Sequence, residues 1–401
     1  MRRLLTGLVG VALAIGSGPG LASDWPCFLG PNKNGSSPET GINKDWKARP
    51  PKLLWKTPMG DRGYAGPSVA DGKVLIIDHK GADDVVRAVD IKTGKDVWTF
   101  SYPDARGHNY GFSRATPTVD ENRVYTLSRE GNLHCLKLGD GAKVWAVSLV
   151  RRFAGRLPQW RLATSPLIDG DKLIVVPGGR DACVAALDKM SGKTIWKGGG
   201  SDKPGYATPV AATLDGKKQY VVFAARNLIG VDAANGRLLW KYPWRTSYDV
   251  NAATPIVSGR GVFITSGYRH GCALLKLTGG QPKRVWENKA IQSHFSSPIA
   301  HRGYIYGTSD PGRLVCLDAR TGKTQWTQRG FQKGGLVALD GVLIVVDGAR
   351  GSITMCRLSP QRYQELGRIT GLGGQSWTAP IVADGKLIVR NKSALACYNL
   401  K

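Results

Sequence analysis

One phrase recurs eight times along the chain, and no other feature restricts the fold so strongly. It consists of a small residue, usually followed by Pro, then two or three alternating apolar positions, a polar turn and a β-rich run. It reads GPSVADGKVLII at 66–77, TPTVDENRVYTL at 116–127, SPLIDGDKLIVV at 165–176 and TPVAATLDGKKQYVVF at 208–223. It continues as TPIVSGRGVFIT at 254–265, SPIAHRGYIYGT at 297–308, GLVALDGVLIVV at 335–346 and APIVADGKLIVR at 379–390. Alternation on either side of Asp-Gly or a similar turn is the pattern of a β-hairpin.

A second phrase follows most of the hairpins: AVDIKTGKDVW at 88–98, CLKLGDGAKVW at 135–145, ALDKMSGKTIW at 186–196, GVDAANGRLLW at 230–240 and CLDARTGKTQW at 316–326. A looser copy ends at Trp286. Each reads as a third strand, a Gly turn and a fourth strand closing on Trp. Four strands in roughly 40–50 residues make one blade of a β-propeller. A lone blade leaves both faces wet, so blades must stack around an axis. The closing indoles (Trp98, Trp145, Trp196, Trp240, Trp286 and Trp326) are placed to wedge between blades, each burying on the order of 150–250 Å². Gly at 52 and Pro at 22 suit many tight turns, and no sustained 3.6-residue apolar period competes with them.

The ends of the chain set the blade count. The eighth hairpin is followed by a third strand near 395–400, and its fourth strand is missing. Leu53-Leu54-Trp55-Lys56 matches a blade-closing strand with no hairpin before it. Pairing it with the last three strands closes the ring. The sequence therefore predicts an all-β, eight-bladed propeller of four-stranded antiparallel blades over 53–401, preceded by a leader at 24–52. The seventh blade is degenerate: Leu336 replaces its Pro, and Leu366 falls where Trp is expected. Cys135, Cys316, Cys356 and Cys397 fall in one slot, taken elsewhere by Ala88 and Ala186. Equivalent slots in different blades are rotated too far apart for a disulfide, and Cys27 in the leader reads as a free thiol.

Residues 1–23 read as an export signal. Arg2 and Arg3 precede an apolar stretch from Leu4 to Ile15, and small residues at Ala22 and Ser23 offer a cleavage point. The stretch is too short to span a bilayer comfortably, and Cys27 lies too far along for lipid attachment. The expected location is the periplasm or the exterior. A net charge of +26, lowered by two when Arg2 and Arg3 depart, favours an anionic polymer or envelope protein as partner. Export argues against a dedicated nucleic-acid role.

The pattern A-x-D-x-x-T-G-K-x-x-W, cleanest at 88–98, resembles the tryptophan-docking motif of the PQQ-binding-like β-propeller repeat family. Quinoprotein dehydrogenases share it with the non-catalytic outer-membrane-protein assembly factor B family. The leader Asp24-Trp25-Pro26…Gly30-Pro31-Asn32 resembles secreted bacterial members of the same family. The motif is a packing device common to enzymes and scaffolds, so it implies architecture and leaves activity open.

Gly192-Lys193-Thr194 and Gly322-Lys323-Thr324 lack the upstream Gly of a phosphate loop, and no C-x-x-C, H-E-x-x-H or G-x-S-x-G occurs. Chemistry is concentrated instead just before each innermost strand, where propeller ligands gather. Three residues upstream of the Pro slot stand Tyr64, Arg114, Ala163, Tyr206, Ala252, Phe295, Lys333 and Trp377. Arg62, Arg161, Asn251, His294, Gln332 and Gln375 adjoin them. Such a funnel suits a planar tricarboxylate such as pyrroloquinoline quinone (PQQ) through Arg pairing and stacking, and suits an anionic peptide terminus or a sugar acid equally. The same residues also serve simply as channel walls. The resemblance to quinoproteins implies, for an enzyme, PQQ with Ca²⁺ and several carboxylates; only Asp249, with Asn251 nearby, is placed to act as base. No adjacent Cys pair exists for the vicinal disulfide of many alcohol-oxidising members. The expectation is a non-catalytic envelope scaffold without cofactor or metal. The alternatives are a PQQ-dependent alcohol or sugar dehydrogenase and a binder of acidic polysaccharide.

Overall fold

The computed structural model describes residues 23–104 and 110–401. Apart from Ser23, the expected export signal lies outside them. Eight four-stranded antiparallel sheets follow one another. Blade 1 comprises Ser68–Ala70, Lys73–Lys80, Asp83–Asp90 and Asp96–Pro103, and the next six repeat that order. Blade 8 takes three strands from the C-terminus, Ile381–Ala383, Lys386–Arg390 and Ala394–Asn399, and its outer strand from Leu53–Pro58. Trp55 lies opposite Cys397 and Thr57 opposite Leu395, so the ring closes as the two half-blades required. No helix among the described residues is long and apolar enough to cross a membrane.

The docking phrase explains itself residue by residue. In blade 1, Asp90 Oδ1 accepts from the backbone N–H of Lys92 and Thr93 and from the Thr93 hydroxyl, which folds the turn onto itself. Gly94 follows with φ +72°. A Cβ there would come within 2.7 Å of the Trp55 indole, which lies flat against this turn from the neighbouring blade. Trp55 Nε1 then donates to the Ile91 carbonyl at 2.9 Å. Gly141 with Trp98, Gly192 with Trp145 and Gly322 with Trp286 repeat the arrangement. Gly is required twice over in this slot, for its backbone and for the ring above it. Trp196 packs on Gly236 with its Nε1 unpartnered, and Trp240 donates inside its own blade to Gln219 Oε1 at 2.6 Å. Trp326 donates to the Ser359 carbonyl.

The small residue before Pro ties the innermost strands together. Ser165 Oγ accepts from Thr116 N–H at 2.9 Å, Thr208 Oγ1 from Ser165 N–H at 3.1 Å, and Ser297 Oγ from Thr254 N–H at 3.0 Å. Each bond gives one channel amide a partner from the next blade.

Blade 7 departs from the expectation in two ways. Met355 faces Gly367 across its outer strand pair and Cys356 faces Glu365, with a bulge between. The same bulge in other blades follows the Ala–Trp or Cys–Trp pair, so the empty tryptophan slot belongs to Gly367 and not to Leu366. Likewise Met355, not Cys356, holds the small-residue slot. The leader repairs the defect. Trp46 is buried, packs among the core residues of blades 7 and 8, and sits on Gly367, where a Cβ would come within 2.5 Å of the Trp46 Cβ.

The rest of the leader is a strap across one mouth of the ring. Trp25 exchanges both backbone hydrogen bonds with Val69 of blade 1, and the Pro26 carbonyl accepts from Val119 N–H of blade 2. Lys33 Nζ reaches the Ile168 carbonyl of blade 3, and Ser37 N–H bonds the Ala338 carbonyl of blade 7. Glu39 Oε2 accepts from Gly385 N–H, and Asn43 N–H bonds the Leu400 carbonyl, both in blade 8. The chain thus crosses the hole before feeding the closing strand.

Candidate functional site

Because the leader stops one mouth, the channel becomes a one-ended cup. Trp25, Phe28 and Leu29 line it from the strap, and a cavity of about 390 Å³ extends from them to the opposite face. At that face the loops before the innermost strands converge, and with the turn that carries Tyr268 they bring aromatic rings into a closed collar. Trp377 contacts Phe295 at 4.9 Å between ring centroids, and Phe295 contacts His294 at 4.2 Å. The series continues from His294 to Tyr268 at 4.4 Å, Tyr248 at 5.5 Å and Trp160 at 5.8 Å. It returns through Tyr110 to Trp377 at 6.2 Å. Tyr64 stacks on Trp377 at 4.8 Å with 21° between the planes, and Tyr206 stands against Trp160.

Two cations stand among these rings. Lys333 Nζ lies 5.6 Å from the Trp377 ring centre and 5.7 Å from that of Phe295, a cation–π geometry. Arg114 lines the cavity, and its Nε and Nη2 are buried with no hydrogen-bond partner. Burial, then the charge of Arg129, pushes the Arg114 guanidinium down to about 10. Burial likewise pushes the Tyr206 phenol up to about 12.

Of the funnel residues expected from sequence, Tyr64, Arg114, Tyr206, His294, Phe295, Lys333 and Trp377 all line the cavity. Four do not. Arg62 is exposed with φ +47°. Arg161, at φ +65°, turns to Glu130 at 3.3 Å. Gln375 Oε1 accepts from the Tyr64 hydroxyl at 2.8 Å, behind the wall. Asn251 is a buried clamp: its Nδ2 donates to the carbonyls of Ala224 and Ala225, and its Oδ1 accepts from the Ser266 hydroxyl. Tyr110, Trp160 and Tyr268 line the cavity without having been anticipated. Tyr110 and Trp160 lie seven and six residues ahead of their Pro slots, and Tyr268 sits in the turn after a second strand, so fixed-offset alignment passes over them.

The cup can be tested against a cation-bound quinone on its donor set. Ca²⁺ asks for several oxygen ligands, carboxylates among them. Among the described residues that line the cavity there is no Asp or Glu. Asp249 lies outside the lining, in a short turn at Ser247–Asp249, where its Oδ1 is held by Arg226 Nε at 3.1 Å. No cluster of three His, Cys, Asp or Glu suited to a metal occurs among the described residues. The residues present do not fit that group.

All seven cysteines are buried thiols. Burial pushes Cys27 up to about 11, and its Sγ donates to the Gly30 carbonyl. Such a thiol is unreactive at neutral pH.

Comparison with known proteins agrees with this geometry. A family model described as outer membrane protein assembly factor BamB matches residues 45–108 and 82–328. The outer membrane protein assembly factor BamB of Yersinia pestis is 24% identical over 424 residues, covering 98% of this chain and 97% of that protein. Among solved structures, BamB from Moraxella catarrhalis superposes with a TM-score of 0.64 at 19% identity, over 87% of this chain and 99% of that one. A europium-containing methanol dehydrogenase reaches 0.68 at 12% identity, over 96% and 99%. Both structural likenesses speak to the fold. With the family match spanning most of its length, this chain belongs to the BamB family of PQQ-like β-propellers.

Proposed function

We propose that the protein is a non-catalytic envelope scaffold that assists the assembly of outer membrane proteins. The observation that carries this reading is the match to BamB of Yersinia pestis across nearly the whole of both chains. The cup supports it from the chemical side: its walls carry aromatics and cations but no described carboxylate, and Asp249 is already paired. A general base needs an unengaged group within reach of its substrate.

The rim supplies docking surface. The residue before four of the docking Trp residues points outward, leaving Val97 49%, Val144 39%, Ile195 46% and Val285 51% exposed on the outermost strands. Each of these strands has one unpaired edge. Apolar side chains beside free backbone edges suit a partner that adds a strand or a loop. Export through the N-terminal segment would deliver the protein to the periplasm, where such partners pass.

Co-purification from gently solubilised envelopes tests the reading. The tagged protein is expected to bring down components that insert outer membrane proteins, while the purified protein given PQQ and Ca²⁺ shows no dye-linked oxidation of alcohols or sugars. Saturable oxidation abolished by Asp249→Ala would replace the scaffold with a dehydrogenase.

A further inference from the structure

The aromatic cup contains a cation with two unpartnered donors. Arg114 lines the cavity and its Nε and Nη2 are buried without a hydrogen bond, while Lys333 stands over Trp377 and Phe295 on the wall. His294 on the same wall is held by Asp310 Oδ2 at 3.0 Å. A guanidinium with two free donors on one edge matches the two oxygens of a carboxylate, and an unpaired buried charge is costly until such a group arrives. An anion in the cup would relieve that cost.

The walls restrict what carries the anion. A peptide terminus would need backbone partners, and three amides at the channel are already taken: Thr116 N–H and Ser165 N–H are bonded to neighbouring hydroxyls, and Tyr206 N–H to the Asn251 carbonyl. A flat polycyclic acid would need two parallel rings with a gap between them. The nearly parallel pair, Tyr64 and Trp377, is closed on itself at 4.8 Å, and the other collar contacts are tilted by 31–75°. Tilted ring faces alternating with phenol hydroxyls fit a puckered ring that has apolar C–H faces and a hydroxylated edge. A cavity of about 390 Å³ holds one or two such rings.

We propose that the cup binds the carboxylate-bearing end of an acidic saccharide, with Arg114 gripping the carboxylate and the collar rings stacking on the sugar. This site stands apart from the rim surface, so it survives or fails independently of the scaffold role.

Isothermal titration of the full-length mature protein with galacturonate di- and trisaccharides tests it. The acids are expected to bind saturably at one site, and their methyl esters about tenfold or more weaker, since losing one charge-assisted bidentate pair removes roughly that factor. Arg114→Gln should weaken the acid at least about tenfold and leave the ester within twofold, collapsing the preference. Trp377→Ala should weaken both. Thermal melts establish that each variant is folded, and Lys333→Gln carries the charge test if Arg114→Gln does not fold. Equal binding of acid and ester, an unchanged affinity in folded Arg114→Gln, or no uronate binding would overturn the proposal. Tighter binding of PQQ, or of a peptide ending in a free carboxylate, than of any uronate would overturn it as well.

Discussion

Asp104 and His134, both buried, pull stability in opposite directions with pH. Burial, reinforced by the nearby Asp84 carboxylate, raises Asp104 to about 6. Its neutral form is favoured in the fold, so its contribution is complete below the unfolded carboxyl value of about 4 and is lost as pH rises through about 6. Burial, with Lys143 adding repulsion, lowers His134 to about 4, against rings of Tyr102 and Phe100. Its neutral form is favoured, so its contribution is present above about 6.5 and is lost as pH falls through about 4. Between pH 4 and 6.5 the two slopes offset. Denaturant melts of Asp104→Asn are expected to show stability rising with pH across that window. Melts of His134→Gln are expected to show it falling. Parallel curves for the two variants would contradict the assignment of either group.

At the scale of the element, the blade is held by a turn and an indole from different parts of the chain, and the turn chemistry is what made the fold readable. Asp90, Thr93 and Gly94 each have a local reason to stand where they do, so the motif survives in the sequence as a recognisable string. The collar is less readable because its loops differ in length. Asn251 and Gln375 lie one and two residues ahead of the wall offset, yet their amides are consumed by the Ala224 carbonyl and the Tyr64 hydroxyl. Arg62 is exposed and Arg161 is drawn to Glu130, outcomes that Arg in a sequence does not advertise. Trp46 was the least legible of all, since its slot lies some 320 residues away in a blade that has lost its own indole. Trp46→Ala removes a buried ring that spans blades 7 and 8 and is expected to cost about 3–5 kcal/mol in denaturant unfolding. A loss below about 1 kcal/mol would mean that the blade tolerates the vacancy and that the leader does not brace it.

For the whole molecule, the N-terminal segment performs three tasks in sequence order. It plugs the channel with Trp25, Phe28 and Leu29, braces the weak blade with Trp46, and closes the ring with Leu53–Pro58. A clasp completes the junction of blades 8 and 1: Arg390 Nη2 pairs with Asp61 Oδ1 at 2.7 Å and also donates to the Gly63 carbonyl. A propeller closed in this way offers a rigid rim for partners and a cup sealed on one side, which is the arrangement expected of a scaffold. Quantitative proteomics of outer membranes from a strain lacking the protein tests that reading most directly. The account expects membrane-inserted β-barrel proteins to fall at least about twofold, and Asp249→Ala to restore them as fully as the wild-type chain does. Unchanged β-barrel levels, or failure of Asp249→Ala alone to restore them, would contradict it.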